Sequence, residues 1–308
     1  MLTFKGTYIF KQNGIEIGRS ENLITTNGRK VLLQYLSGVR SNWASDMALG
    51  AINTAPSVSD IELNFETMRI PVSLKTYKSA TSNNPDLIIV RGTLPESIYA
   101  NIYEIGLYPD SKITDVANRN DRIITAFSDL SNWVASINDQ SQNILNQGTV
   151  YLTGYSPQGE ASPRIGGFSV DLAQNTKYEN NTFAFSLLGY SSLDTLKILA
   201  YNTVAGVLTI TLVDTDNNSF VFTYTLEDNS GYQILSAPFP SDVLFNSTIE
   251  TVRITTDNTA SVTIDAIKTS STAELTSEDY LISKSVLSTP IAKIYGTPLD
   301  VEYYVQIL

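Results

Sequence analysis

The chain closes on "KIYGTPLDVEYYVQIL", residues 293–308, in which Leu299, Val301, Tyr303, Val305 and Ile307 alternate with Asp300, Glu302, Tyr304 and Gln306. A period of two with one apolar row is the pattern of a strand covered on one face. Chain ends usually fray, because few contacts offset the entropy lost on ordering them. An end this regular belongs to a sheet, and the sheet it joins decides how the chain is divided.

A length of 308 residues accommodates two domains or one large β domain. Hydrophobic residues make up 42% of the chain, enough for a sizeable core and too many for wholesale disorder. Only 17% is charged, so Ser, Thr, Asn and Gln supply much of the polar surface. Lys and Arg total 20 against 31 Asp and Glu, a net charge of −11. That balance disfavours direct nucleic-acid binding, which needs a concentrated positive field. There is no cysteine and no histidine, which excludes disulfides, thiolate nucleophiles, Cys/His zinc sites and histidine bases. An oxygen-only calcium or magnesium site stays open. The start, "MLTFKGTYIF", is short and alternating, so neither a signal peptide nor membrane insertion is expected. Release by cell lysis, the route of a virion component, fits such a chain.

Working back from the terminus, the most regular block covers residues 163–272. "GGFSVDL", "TFAFSLLGY", "TLKILAYN", "VLTITLVD", "SFVFTYTL", "YQILSAPF", "IETVRITTD" and "SVTIDAIK" are short alternating segments separated by turns. This spacing predicts a jelly-roll β-sandwich. Phe220, Phe222, Tyr224 and Leu226 form one row on a strand and would spiral around a helix. Residues 131–162 carry scattered apolar side chains and turn formers, and read as a connector with one short helix near 134–146. Further upstream, "IPVSLKTY", "DLIIVRGTLP", "YANIYEIGLYP" and "RIITAFSDL" read as strands. "LITTNGRKVLLQYLSG" reads as a helix, with Val31, Leu32, Tyr35 and Leu36 at helical spacing, a cap at Thr25 or Thr26 and a stop at Gly38. "IELNFETMR" is expected to form a helical turn or two before Pro71, and Asn13-Gly14 a turn between the first strands.

Residues 22–50, "NLITTNGRKVLLQYLSG…DMALG", followed by "APSVSD", "ETMRIPVSL" and "YEIGLYP", resemble a phage tail-fibre or baseplate-associated virion structural domain. Such domains often end in a strand that here looks like Ile291 to Ile307, with Lys293, Gly296, Leu299, Val301 and Tyr303 in register. The resemblance implies that the sandwich is inserted into the first domain, and slow growth of closure entropy with loop length permits this. The expected organisation is mainly β: a small α+β N-terminal domain at 1–130, a connector at 131–162, an inserted jelly-roll sandwich at 163–282 and return strands at 283–308. The last strand is expected beside strands of 1–130, among them the 123–128 segment. Tyr103, Leu107, Val301 and Tyr303 carry the assembly or structural role. The inserted block resembles the carbohydrate-binding-module class of jelly roll through its hairpin "VRITTDNTASVTIDAIK", which implies a structural calcium near Asp265.

Candidate sites are few. In "DTDNNS", Asp214, Asp216 and Asn218 offer oxygen ligands to calcium, against the reading of a plain strand-connecting turn. Asp265 lies among Val262, Ile264 and Ile267, with a solvated face as the alternative to a metal. Tyr190, Tyr201, Tyr232 and Phe239 lie near predicted strand ends, where aromatic rings stack on sugars or pack the sandwich edge. Trp43 and Trp133 read as core or interdomain packing. Paired carboxylates among Asp171, Asp194, Asp214, Asp216, Asp257 and Asp265 would be needed for glycoside hydrolysis. The leading reading is a non-enzymatic phage virion protein of the tail fibre, baseplate or adaptor, homo-oligomeric and in contact with other virion proteins. Capsid decoration or a head fibre, a host receptor or surface-glycan binder, and a glycoside hydrolase are the alternatives.

Overall fold

The computed structural model describes residues 4–81, 85–96, 100–109, 123–125, 132–137, 140–143, 150–152, 168–172, 176–228, 232–241, 245–257, 261–270, 280–293 and 296–307. In chain order the elements are β1 (Phe4–Gln12), β2 (Ile15–Glu21), β3 (Leu23–Ile24), α1 (Thr26–Leu36), β4 (Asp46–Gly50), β5 (Glu66–Lys78), β6 (Leu87–Leu94) and β7 (Ala100–Tyr108). Next come β8 (Ile123–Thr125), β9 (Trp133–Ile137), β10 (Gln140–Asn143), β11 (Val150–Leu152), β12 (Phe168–Leu172), β13 (Thr176–Asn180) and β14 (Phe185–Ser186). The remainder are β15 (Thr195–Val204), β16 (Gly206–Asp214), β17 (Ser219–Leu226), β18 (Tyr232–Pro238), β19 (Thr248–Thr256), β20 (Ser261–Ser270), β21 (Ser283–Lys293) and β22 (Leu299–Ile307). Two compact units result, Met1–Val116 with Leu275–Leu308, and Ala117–Glu274.

The first unit is built on a nine-stranded sheet in the order β2-β1-β22-β6-β5-β4-β7-β21-β3. The C-terminal strand therefore lies inside the N-terminal sheet, antiparallel to β1 on one side and to β6 on the other. Its alternation has the expected outcome: Leu299, Val301, Tyr303 and Val305 are buried in one core with Tyr8, Phe10, Val90, Ile105 and Leu107. The Tyr8 and Tyr303 rings stack at 4.6 Å. The neighbours of β22 are not the 123–128 segment. Ile123–Thr125 instead pairs with β20, and Ile124 packs on the core of the second unit.

Thr25 caps α1 by accepting the Gly28 N–H at 2.9 Å, and Val31 and Leu32 turn into the core. Tyr35 and Leu36 do not follow them. They stay exposed at 40% and 56%, because the buried stripe is only the part of the helix that meets the sheet. The helical turn expected around residues 61–69 is absent. The Asn64 and Phe65 N–H groups are satisfied by the Glu104 carboxylate at 3.1 and 2.8 Å, and Leu63 and Phe65 are buried. Asn13 and Gly14 form the β1–β2 turn, both at positive φ.

The second unit is a β-sandwich. One sheet runs β10-β9-β13-β19-β16-β17 with β14 beside β19, and the other runs β11-β12-β20-β15-β18 with β8 beside β20. Its core includes the expected row Phe220, Phe222, Tyr224 and Leu226, with Tyr178, Leu196, Ile210, Val252 and Ile264. The short helix expected near 134–146 is replaced by the antiparallel β9–β10 pair, and β9 continues onto β13. Trp133 is buried and Val134 is exposed, a period of two that a helix cannot give. Residues 131–162, expected as a connector, thus contribute β9, β10 and β11. Trp43 and Trp133 are each buried in the core of their own unit.

On the opposite face of β22, Glu302 is clamped by its two neighbouring strands. Lys11 of β1 donates to Oε2 at 2.6 Å and Arg91 of β6 donates to Oε1 at 2.9 Å, with the Tyr304 hydroxyl donating at 2.9 Å. Burial alone would raise this carboxyl, but the bonds from Lys11, Tyr304 and Arg91 outweigh it and hold Glu302 below the ordinary range. A depressed carboxyl stabilises the fold above its unfolded value, about pH 4.3, and that contribution is lost as pH falls through the folded value. Glu302→Gln is expected to destabilise the first unit by about 1–3 kcal/mol at neutral pH. Its deficit against wild type should shrink as pH falls below about 4. Urea melts followed by Trp43 fluorescence in a Trp133→Phe background would measure both.

Candidate functional site

The outer face of the six-stranded sheet is set by strand alternation. Leu196, Ile198 and Ala200 of β15 enter the core, so Lys197, Leu199 and Tyr201 point to the other side. On β18, Leu235 and Ala237 face the core and Tyr232 and Ile234 face outward. Tyr201 and Tyr232 are directly paired across the β15–β18 ladder, and their rings lie 5.7 Å apart. Both are half-buried. Next to them on the same face, Thr263 of β20, in register with Tyr201, is exposed by only 7% and Leu199 by 0%. Lys268, level with Lys197 further along β15, is exposed by 3%, so the accessible part of this face is the tyrosine pair itself. The backbone under Tyr201 is fixed from the core side, where the buried Asn202 amide donates to Val204 O at 3.2 Å and to Glu227 O at 2.5 Å.

Of the four aromatic residues singled out as glycan contacts, only Tyr201 and Tyr232 share this face. Tyr190 and Phe239 are core groups, exposed by 5% and 3%, with rings 5.6 Å apart inside an aromatic cluster that holds Phe222 and Phe245. The Tyr190 hydroxyl shares a hydrogen bond with Thr269 at 2.8 Å, so neither ring offers a face to a sugar.

The calcium candidates are placed apart. Asp214 is buried and turns its carboxylate onto its own hairpin, accepting the Asp216 N–H at 2.9 Å, the Asn218 N–H at 2.8 Å and the Asn218 Nδ2 at 3.0 Å. Burial would raise this carboxyl, but these bonds prevail and hold it below the ordinary range. Asp216 is exposed at the turn. Asp265 is fully buried at a bulge where β20 gains one residue against Leu199 and Ala200, and its outward neighbours Thr263, Ala266 and Lys268 are buried too, so this stretch of β20 has no solvated face. Asp194 and Asp257 likewise bond backbone N–H groups, of Ser191 and Val207, and the Asp171 side chain lies outside the described residues. Among the described residues no three His, Cys, Asp or Glu side chains group to hold a metal. Asp214→Ala is expected to destabilise the sandwich by about 1–2 kcal/mol through its lost turn bonds. Thermal melts of the variant against wild type would measure it.

In the first unit, Leu107, Val301 and Tyr303 are core residues and Tyr103 is half-buried, so this set supports the fold. On the other face of β4 and β7 lies a buried polar layer. Arg69 pairs with Glu66 at 2.6 Å and stacks 3.8 Å over the Tyr108 ring, while Lys284 meets Asp60 and Glu104. Asp60 ends the motif "APSVSD", but the sequence reading gave no site role to it or to Lys284. The available signal is a charge set within an apolar run, Lys284 in "LISKSVL" and Glu104 in "YEIGLY".

No protein-family profile matches the chain, and no curated protein matches it. Among solved structures, the family 30 carbohydrate-binding module of a Clostridium thermocellum cellulosomal cellulase matches at 14% identity, TM-score 0.37, over 50% of this chain and 99% of that one. CsCBM6-3 of Clostridium stercorarium, in complex with cellobiose, matches at 10% identity, TM-score 0.28, over 40% and 82%. The enzymatically active domain of bacteriophage CBA120 tailspike protein 4 matches at 14% identity, TM-score 0.30, over 47% of this chain. The chain spans only 20% of that tailspike domain's length. All three TM-scores lie below 0.5, and the assignment of a jelly-roll sandwich rests on strand order and core. No helix among the described residues is long and apolar enough to cross a membrane.

Proposed function

We propose that the chain is a binding protein without a chemical step, whose inserted sandwich takes carbohydrate on the outer face of its six-stranded sheet. The Tyr201–Tyr232 pair carries this reading: two half-buried rings side by side on rigid, paired strands form a platform for the apolar face of a sugar ring. Stacking needs no metal and tolerates different sugars, so the pair sets the mode of binding rather than a narrow specificity. Full-length protein applied to a glycan array and to bacterial surface polysaccharides is expected to bind. Tyr201→Ala and Tyr232→Ala should each weaken binding about five- to tenfold. No binding, or unchanged binding in the double variant, would sink the proposal.

A second observation favours a virion role for the first unit. Outside its buried stripe, α1 and its C-terminal turn leave Leu33, Leu36 and Val39 exposed at 58%, 56% and 76%. Residues 25–45 also contain Arg29, Lys30 and Arg40 and no acidic residue, in a chain of net charge −11. Such a patch suits contact with acidic neighbouring protein surfaces, including further copies of this chain in a symmetric tail, baseplate or capsid assembly. The reading is thus of a phage virion protein whose split domain attaches and whose inserted domain recognises a host-surface glycan. Antibody labelling of intact particles should place the chain on the tail or the capsid, and its absence from particles would refute the virion reading.

A further inference from the structure

Lys284 is fully buried in β21. Its Nζ lies 3.1 Å from Asp60 Oδ2 and 3.4 Å from Glu104 Oε2, yet it makes no aligned hydrogen bond. A buried ammonium against two carboxylates without aligned bonds is an expensive arrangement, because desolvation opposes each charge. The three groups are nonetheless held firmly together. Glu104 sits diagonally from Lys284 across the β7–β21 ladder, where Lys284 faces Gly106. Gly50 on β4 leaves the space that the Glu104 carboxyl fills, since a Cβ there would stand 2.4 Å from its Oε1. Both Glu104 oxygens accept backbone N–H groups of the loop before β5. Asp60 is fixed by its own turn, with the Ser57 N–H donating to Oδ2 at 3.0 Å and the Asp60 N–H donating to Ser57 O at 3.0 Å. A small apolar cluster of Ala48, Leu63, Tyr108 and Leu281 lies on the same face.

We propose that Lys284 and Asp60 condense spontaneously to an intramolecular isopeptide bond, with Glu104 carrying the proton between them. The structure holds the unreacted groups in contact, which removes the entropic barrier to bringing amine and carboxyl together. Proton transfer within the ion pair first yields a neutral amine and a neutral carboxylic acid. The Nζ lone pair then attacks Asp60 Cγ and the N–C bond forms. Glu104 accepts a proton from the nitrogen and returns it to the departing Asp60 oxygen. The C–O bond breaks and one water leaves, so amine and acid become amide plus water with no oxidant or cofactor. Asp60 is the acceptor because it is nearer and 22% exposed, which gives the water an exit, while both Glu104 oxygens are held by backbone. Burial pushes the Glu104 carboxyl above its ordinary range, against the pull of Lys284 and the two N–H groups, as suits a group that takes and returns a proton. The product replaces two buried charges by one amide and covalently joins the chain before the insertion to the chain after it.

Intact-mass measurement of denatured full-length protein tests this directly. Wild type should be lighter than its sequence by the mass of one water, and a protease digest should yield one branched peptide joining Asp60 to Lys284. Asp60→Ala, at a partly exposed loop position, should fold and show its full sequence mass. Glu104→Gln, confirmed folded by circular dichroism, should also lose the bond. Wild type at full mass, or a water loss that maps elsewhere, overturns the proposal. A cross-link that persists in folded Glu104→Gln overturns the proton-carrying role.

Discussion

The first unit depends on β22 lying between β1 and β6. Those neighbours come from the beginning of the chain, and no described strand links them directly to each other in the sheet. Remove β22 and the β1–β2 hairpin loses its ladder to the rest, along with the stacking of Tyr8 on Tyr303. The exposed edge of β6 would present an unpaired row of backbone groups, a costly and aggregation-prone state. Glu302 strengthens the same junction electrostatically, since its two cationic partners come from the two flanking strands. The first unit is therefore complete only once β22 has joined it. The sandwich between the two halves folds on its own ladders, and closure entropy grows slowly enough with loop length for a long insertion to be tolerated.

A second junction between the two halves lies on the opposite side of the sheet. "DMALG" and "YEIGLY" pair residue by residue, Met47 with Leu107 and Leu49 with Ile105 toward the core, Ala48 with Gly106 and Gly50 with Glu104 away from it. The small residues on the outward face are what allow a loop and the Glu104 carboxylate to lie directly on the strands. Lys284 reaches this layer from the return segment. The segments "DMALG" and "YEIGLY" thus carry a polar layer outside the main core, and the returning chain completes it.

Local periodicity explains what was legible in the sequence. The rows ending in Val305 and Leu226 read correctly because side-chain alternation is fixed within a strand, whatever its partner. Partners and bulges are not local. Alternation puts Asp265 opposite the core but cannot show that the outward positions of β20, Thr263, Ala266 and Lys268, are themselves buried, or that a bulge forms against β15. Residues 62–65 looked helical because their N–H acceptor, Glu104, is distant in sequence. Trp133 and Val134 were set among too few apolar neighbours for their period of two to show, and a helix was read where β9 pairs with β13. The same limit governed the aromatic candidates. Composition places Tyr190, Tyr201, Tyr232 and Phe239 near strand ends, but only the cross-strand register separates the outward pair from the two in the core.

These contrasts also separate the kinds of contact the two units can make. In the sandwich, the outward aromatic pair is half-buried and carried on two paired strands, which limits its motion and favours a small, stacked ligand. In the first unit, the outward residues of α1 are aliphatic, highly exposed and accompanied by positive charge. Aliphatic side chains of that exposure gain little from a hydrated sugar and much from another protein surface, where burying each one contributes about 1.5–3 kcal/mol. The proposed division of labour between attachment and recognition rests on this difference in side-chain chemistry. Because β22 pairs only with strands of the first unit, that unit is completed without altering any strand of the inserted sandwich.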